Sequence, residues 1–133
     1  MKADGSLHTV FVCVPSPAPE DGVEVRRDTY YRGQMACHLL TKLGYLPLCP
    51  MMYFPHFLSQ KHSPDVEDMA VLSGEWLAQS RELWCFGDMR TEEMERDIKR
   101  AKDFGLTIRY CSEPDEMRVQ LLDALGSKQE EKR

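Results

Sequence analysis

The 133-residue chain has no apolar run near the ~18–20 residues a bilayer-spanning helix needs, so no membrane segment is expected. It has no basic excess: 17 Lys and Arg stand against 22 Asp and Glu, a formal charge of −5. Long nucleic acid is excluded as the main partner, because neutralising its phosphates takes a basic surface. No C-x-x-C pair occurs, and the five cysteines form an odd set unlike a secreted disulfide framework. The four histidines show no metal-ligand spacing; His56 and His62 are six apart, which no helix brings onto one face, so no metal is expected. There is no G-x-G-x-x-G, no Walker loop and no G-x-S-x-G turn. The opening MKADGSLH lacks the apolar stretch of a signal peptide, and a cytoplasmic location is expected.

What is present suits one globular domain. Hydrophobic residues make up 42% and charged residues 29%, and the length fits a unit of about 100–200 residues. The domain is expected over 1–126, followed by the charged tail 127–133 (SKQEEKR).

Strand and helix patterns alternate along it. Residues 9–14 (TVFVCV) are a short β-branched run stopped by Pro15-Ser16-Pro17, and 15–22 holds three prolines and a glycine, hence a loop. From about 27 to 43 the period changes: Tyr31, Met35, Leu39, Leu40 and Leu43 suggest one helical stripe, with Gly44 as its stop. Residues 45–49 (YLPLC) read as a strand that Pro47 places at an edge. Residues 50–63 are aromatic and irregular, long enough for a functional loop. Ser63-Pro64 then predicts a cap and first position of a helix to about 80, with Val66, Met69, Ala70, Trp76 and Leu77 as its apolar stripe. Residues 82–86 (ELWCF) are a third strand. Thr91 caps a helix over 92–104 with Met94, Ile98 and Ala101 inward, and 106–110 is a fourth strand. Ser112 to Asp115 matches a capping box before a last helix lined by Met117, Leu121, Leu122 and Leu125.

Uniformly apolar strands alternating with helices predict an α/β fold: a small doubly wound, flavodoxin-like parallel sheet of four to five strands, helices on both faces. Ligands bind such sheets beyond the carboxyl ends of the strands. That confines the search to 14–16, 49–53, 87–91 and 110–112. Within it, Gly87-Asp88 leaves the third strand, and the helix after it opens at Thr91, where free N–H groups favour anions. Asp97 flanks that helix's buried stripe. Its bland reading, with Glu92, Glu93 and Glu95, is a solvated first turn. The aromatic run Tyr53-Phe54-Pro55-His56-Phe57 can stack on a flat ligand, or simply fill space under a long loop. Tyr30, Tyr31 and Arg32 are weaker candidates for a ribose or phosphate.

The segments FVCVPSP, KLGYLPLCPMMYFPHFL, SGEWLAQSRELWCFGD and EMERDIKRAKDFGLTIRY together resemble a family of small bacterial and phage domains of unknown function. Those domains are related to the nucleoside 2-deoxyribosyltransferases. The likeness runs from about 10 to 110. It implies that a carboxylate on the helix after the third strand attacks the sugar's anomeric carbon, displaces the base and leaves a glycosyl–enzyme intermediate. That position falls on Asp97, where the family usually has Glu. Thr91-Glu92-Glu93-Met94 stands for its Ser-x-Gly-Met, Met51 for a frequent His, and Ser16-Pro17-Ala18-Pro19 for a Tyr-Arg-Gly loop.

The resemblance implies action on the N-glycosidic bond of a small nucleoside- or nucleotide-like ligand, with no metal or organic cofactor. Asp97 is then the expected nucleophile and Asp88 its partner acid or sugar-hydroxyl acceptor. Ligand contacts are expected from Pro15, Ser16, Met51, Gly87, Thr91, Glu93 and Met94, with Tyr53 or Phe54 stacking on the base. Glu93 in place of Gly crowds or repels a phosphate at the helix start. The rival is a binding or sequestering module of the same fold that has lost turnover. A third reading is an interaction protein whose aromatic loop forms a homo-oligomer contact.

Overall fold

The computed structural model describes residues 7–114 together with 116 and 117. In chain order it contains β1 (His8–Cys13), α1 (Val23–Lys42), β2 (Tyr45–Leu48), α2 (Pro50–Tyr53), a 3₁₀ turn (Phe54–His56), α3 (Ser63–Gln79), β3 (Glu82–Phe86), α4 (Glu92–Asp103) and β4 (Thr107–Cys111). The four strands form one sheet in the order β2-β1-β3-β4, with every neighbouring pair parallel. This is the doubly wound, flavodoxin-like arrangement: the order reverses at β1, so β1 and β3 flank the switch point.

Central and edge strands differ as their sequences require. Every residue of β3 is buried, whereas β2 exposes Leu46 and β4 exposes three of its five positions. Pro47 lacks an N–H to donate and sits in edge strand β2, opposite Val10. Alternation along the central strands makes two cores. Val10, Val12, Val14, Trp84 and Phe86 pack with Ala36, Leu39 and Leu40 of α1. Phe11, Cys13, Leu83 and Cys85 pack with Leu77 of α3 and Met94, Ile98 and Ala101 of α4. Leu39 and Leu40 are at most 1% exposed, and burying such side chains stabilises by about 1.5–3 kcal/mol each. Cys13, Cys49 and Cys85 are free and buried, as their apolar settings imply.

Glycines end two helices. Gly44 (φ 89°) and Gly105 (φ 77°) take the left-handed conformation just past α1 and α4. Thr91 caps α4, its Oγ1 accepting the Met94 N–H at 3.2 Å.

Several expected details shift. Helix α1 begins at Val23, a turn early, and its buried line is Gly33, Met35, Ala36, Leu39 and Leu40; Tyr31 and Leu43 are exposed. Gly33 belongs to that line because α2 lies against it: a Cβ there would come 2.5 Å from Met51 Cε. The 50–63 stretch is not wholly irregular, since Pro50 opens α2 and Phe54–His56 is a 3₁₀ turn. Ser63 is the first residue of α3 rather than its cap. The turn before it is fastened by Asp65, which accepts the Ser59 N–H at 2.9 Å and pairs with His62 at 3.2 Å. Met117 packs on the α1 core. The expected continuation of the last helix through Leu121, Leu122 and Leu125, the end of the domain at 126 and the tail 127–133 lie outside the described residues. No helix among the described residues is long and apolar enough to cross a membrane.

Candidate functional site

A cavity of about 510 Å³ opens at the carboxyl end of the sheet beside the switch point, within the ~300–1,000 Å³ range of small-molecule sites. Its wall is built by the end of β1 and the proline loop after it (Phe11–Val14, then 16–19), α1 through Arg26 and Tyr30, α2 with its 3₁₀ turn and Gln60 beyond it, and the facing sides of α3 and α4. The floor is apolar, with Val12, Val14, Met51, Phe54, Met69 and Met94. Polar groups converge from Ser16, Tyr30, Gln60, Ser73, Thr91, Glu93, Arg96 and Asp97.

Asp97 projects from α4 two turns past the cap, and its side chain is only 15% exposed. Burial pushes its carboxyl above the usual carboxylate range; the Arg100 and Arg96 guanidiniums only partly offset this, and the Glu93 charge adds to it. Arg100 donates to Oδ1 at 2.9 Å. Glu93 lies four residues earlier on the same helical face and in the same wall, so with Glu92 three carboxylates of unequal burial share the cavity. The Cys13 thiol lies beside Cys85 and is buried, and both push it far up. Held neutral, it is a poor nucleophile.

The proline loop is held from outside. Arg26 donates through Nε to the Asp21 carbonyl (2.9 Å), through one terminal nitrogen to the Ala18 and Pro19 carbonyls (3.0 Å each) and through the other to Gln60 Oε1 (3.1 Å). Gln60 in turn donates to the Pro17 carbonyl. At the 3₁₀ turn, the Tyr30 hydroxyl and His56 Nε2 are 3.2 Å apart.

Of the residues singled out from sequence, Ser16, Met51, Phe54, Thr91, Glu93, Met94 and Asp97 line this one cavity. Four others do not. Asp88 is exposed and outside the wall, because Gly87 turns left-handed (φ 81°) directly off β3 and the chain rejoins the cavity only at Thr91. Gly87 itself faces Glu113, whose carboxylate would be 2.6 Å from any Cβ placed there. Pro15 is buried but does not line the cavity. Tyr53 turns outward, 52% exposed and stacked on Trp76 at 5.6 Å, which leaves Phe54 as the inward ring. Arg32 pairs with Glu113 at 3.0 Å and, with Tyr31, borders a separate groove.

Sequence reasoning missed Arg26, Gln60, Ser73 and Arg96. Arg26 had one available signal: a loop with three prolines offers few N–H groups to its own carbonyls, which then need outside donors. Val66, Met69 and Ala70 of the expected apolar stripe line the cavity.

A family model for a domain of unknown function (DUF7768) matches residues 8–111, from the first residue of β1 to the last of β4. The chain belongs to that family. The match takes in every wall segment of the cavity, so the site is part of the family's domain and not an appendage to it. No curated protein matches the chain.

Proposed function

We propose that this domain takes a nucleoside into the cavity at the end of β1 and acts on its N-glycosidic bond, with Asp97 as nucleophile. One observation carries the reading: a mostly buried carboxylate, raised in pKa, stands on the helix after β3 in the wall of a switch-point cavity of small-molecule size. The free Asp97 oxygen attacks the anomeric carbon while the carbon–nitrogen bond breaks toward the base. The departing base takes a proton from water, and Glu93 accepts from a sugar hydroxyl. Water or a second base then attacks the glycosyl ester and restores the carboxylate. Glu93 replaces Asp88 in this scheme because it shares the cavity. Ser16 and Thr91 serve the sugar hydroxyls, and Phe54 with the Met51 and Met94 side chains forms an apolar bed for the base.

The three carboxylates of the wall, set against Arg26 and Arg96, favour an unphosphorylated nucleoside. Glu92 and Glu93 stand at the start of α4, where a phosphate otherwise finds free N–H groups. Arg26 has given its donors to carbonyls and to Gln60.

The test is release of free base from 2′-deoxynucleosides and from their 5′-monophosphates. Release from the nucleosides is expected, lost in Asp97→Asn with binding retained. Wild-type release that survives Asp97→Asn overturns the mechanism. The Arg100 bond to Asp97 favours a second reading, a binding module, since a paired carboxylate is a weaker nucleophile. Nucleoside binding with no base release by the wild type decides for it. Self-association through the aromatic segment is supported by the outward Tyr53 and Phe57 rings, 52% and 56% exposed.

A further inference from the structure

Arg100 does more than pair with a neighbour on its own helix. One terminal nitrogen donates to Asp97 Oδ1 at 2.9 Å, and the other crosses to α3 and donates to the Ala70 carbonyl at 3.3 Å. The crossing runs over Gly74, one helical turn beyond Ala70. A Cβ on Gly74 would lie 2.6 Å from that second nitrogen, so the guanidinium occupies the notch left by the missing side chain. Its Nε is buried with no hydrogen-bond partner among the described residues. Such an orphan donor costs stability, so the two terminal contacts, not full satisfaction of the group, set its place.

We propose that Arg100 is a positioning residue for Asp97: anchored in the Gly74 notch of α3, it fixes Oδ1 and turns Oδ2 to the cavity. This rests on the reading of Asp97 as the reactive group. An exposed i,i+3 pair contributes little and leaves both side chains free to rotate. The anchor to α3 removes that freedom, and it ties the carboxylate to the helix that supplies Met69, Ala70 and Ser73 to the same wall. The charged and titratable groups facing Asp97 are Arg100, Arg96 and Glu93 from α4 and the neutral Cys13 thiol from β1; the contact from α3 is the Ala70 carbonyl, reached through Arg100.

Gly74→Ala tests this without altering a charge. The new methyl meets only the far end of a flexible side chain, so the guanidinium moves while the helix gains a better helix former. Titration of the Asp97 carboxyl, followed by carbon NMR and assigned with Asp97→Asn, is expected to move upward in Gly74→Ala and further in Arg100→Met, with no loss of thermal stability in Gly74→Ala. With nucleoside, Gly74→Ala is expected to lower kcat by about 10- to 100-fold at nearly constant KM, the size of effect a misplacement near 1 Å produces. An unchanged Asp97 titration in both variants overturns the proposal, and so does a shifted titration with unchanged kcat. A shifted titration in a protein whose wild type releases no base keeps the positioning contact and rejects the glycosidic reading, so the two failures are distinct.

Discussion

Glu82 and Asp97 are carboxylates at opposite ends of the same sheet, one entering β3 and the other beyond its exit, and they are displaced in opposite directions. Their side chains are similarly hidden, at 8% and 15% exposure. Burial alone would push Glu82 up. Arg109 Nε at 2.6 Å, Trp84 Nε1 at 3.1 Å and the His8 ring at 2.8 Å outweigh it and hold the carboxyl below its usual range. Asp97 has Arg100 on one oxygen and Glu93 working against it, and burial wins. The number and geometry of donors, not depth, separates a carboxylate that fastens the fold from one left available at a cavity.

The largest effect should come from removing the first of these. Glu82→Ala leaves Trp84 Nε1 and Arg109 Nε without their shared acceptor. A loss of about 2–3 kcal/mol is expected by urea denaturation, below the fully buried range because Arg109 is half-exposed. Asp97→Asn should stay within about 0.5 kcal/mol, since it relieves a burial penalty while weakening the Arg100 bond. Equal losses in the two variants would erase the distinction between the ends.

Acid should separate them next. Glu82, held low, stabilises the fold above its unfolded value of about 4.3, and that contribution is lost as pH falls through the lower folded value. Asp97, held high, has the reverse sign: the folded state binds its proton more tightly, so stability declines as pH rises from about 3.9 through the folded value. Urea midpoints measured from about pH 3 to 7 should therefore show a flatter acid limb in Glu82→Gln. In Asp97→Asn the opposing decline should vanish. A Glu82→Gln profile parallel to wild type would show that the cluster contributes nothing to acid sensitivity.

The two ends were also unequally legible in the sequence. The strands stood out because continuous apolar runs such as TVFVCV and ELWCF have no other stable place than a covered sheet, and α4 because Thr91, Met94, Ile98 and Ala101 agree on one register. That register also placed Asp97 beside the cavity. The Glu82 cluster was invisible because its members come from β1, β3 and β4 and meet only through strand pairing. The pocket role of Val66, Met69 and Ala70 was not legible because an apolar pocket wall and a core stripe use the same residues at the same spacing. Asp88 was misplaced because a single left-handed glycine redirects the chain in a way residue types do not announce.

The smallest expected effect lies in the aromatic segment, where the contrast between buried and available recurs within two neighbouring residues. Phe54 is 3% exposed and lines the cavity, while Tyr53 and Phe57 face outward around Trp76, with Tyr53–Phe57 and Phe54–Trp76 centroids 5.2 and 4.7 Å apart. Exposed aromatic area of this kind favours association. Removing an outward ring should weaken self-association while leaving nucleoside binding unchanged, because Phe57 does not line the cavity. Phe57→Ala is therefore expected to elute from a sizing column at a smaller apparent mass than wild type, with thermal stability nearly preserved at 56% exposure. Phe54→Ala should do the opposite, weakening nucleoside binding and opening a core-like void while elution is unchanged. Identical monomeric elution of wild type and Phe57→Ala would remove the interface role from this segment and leave its outward rings as packing around Trp76.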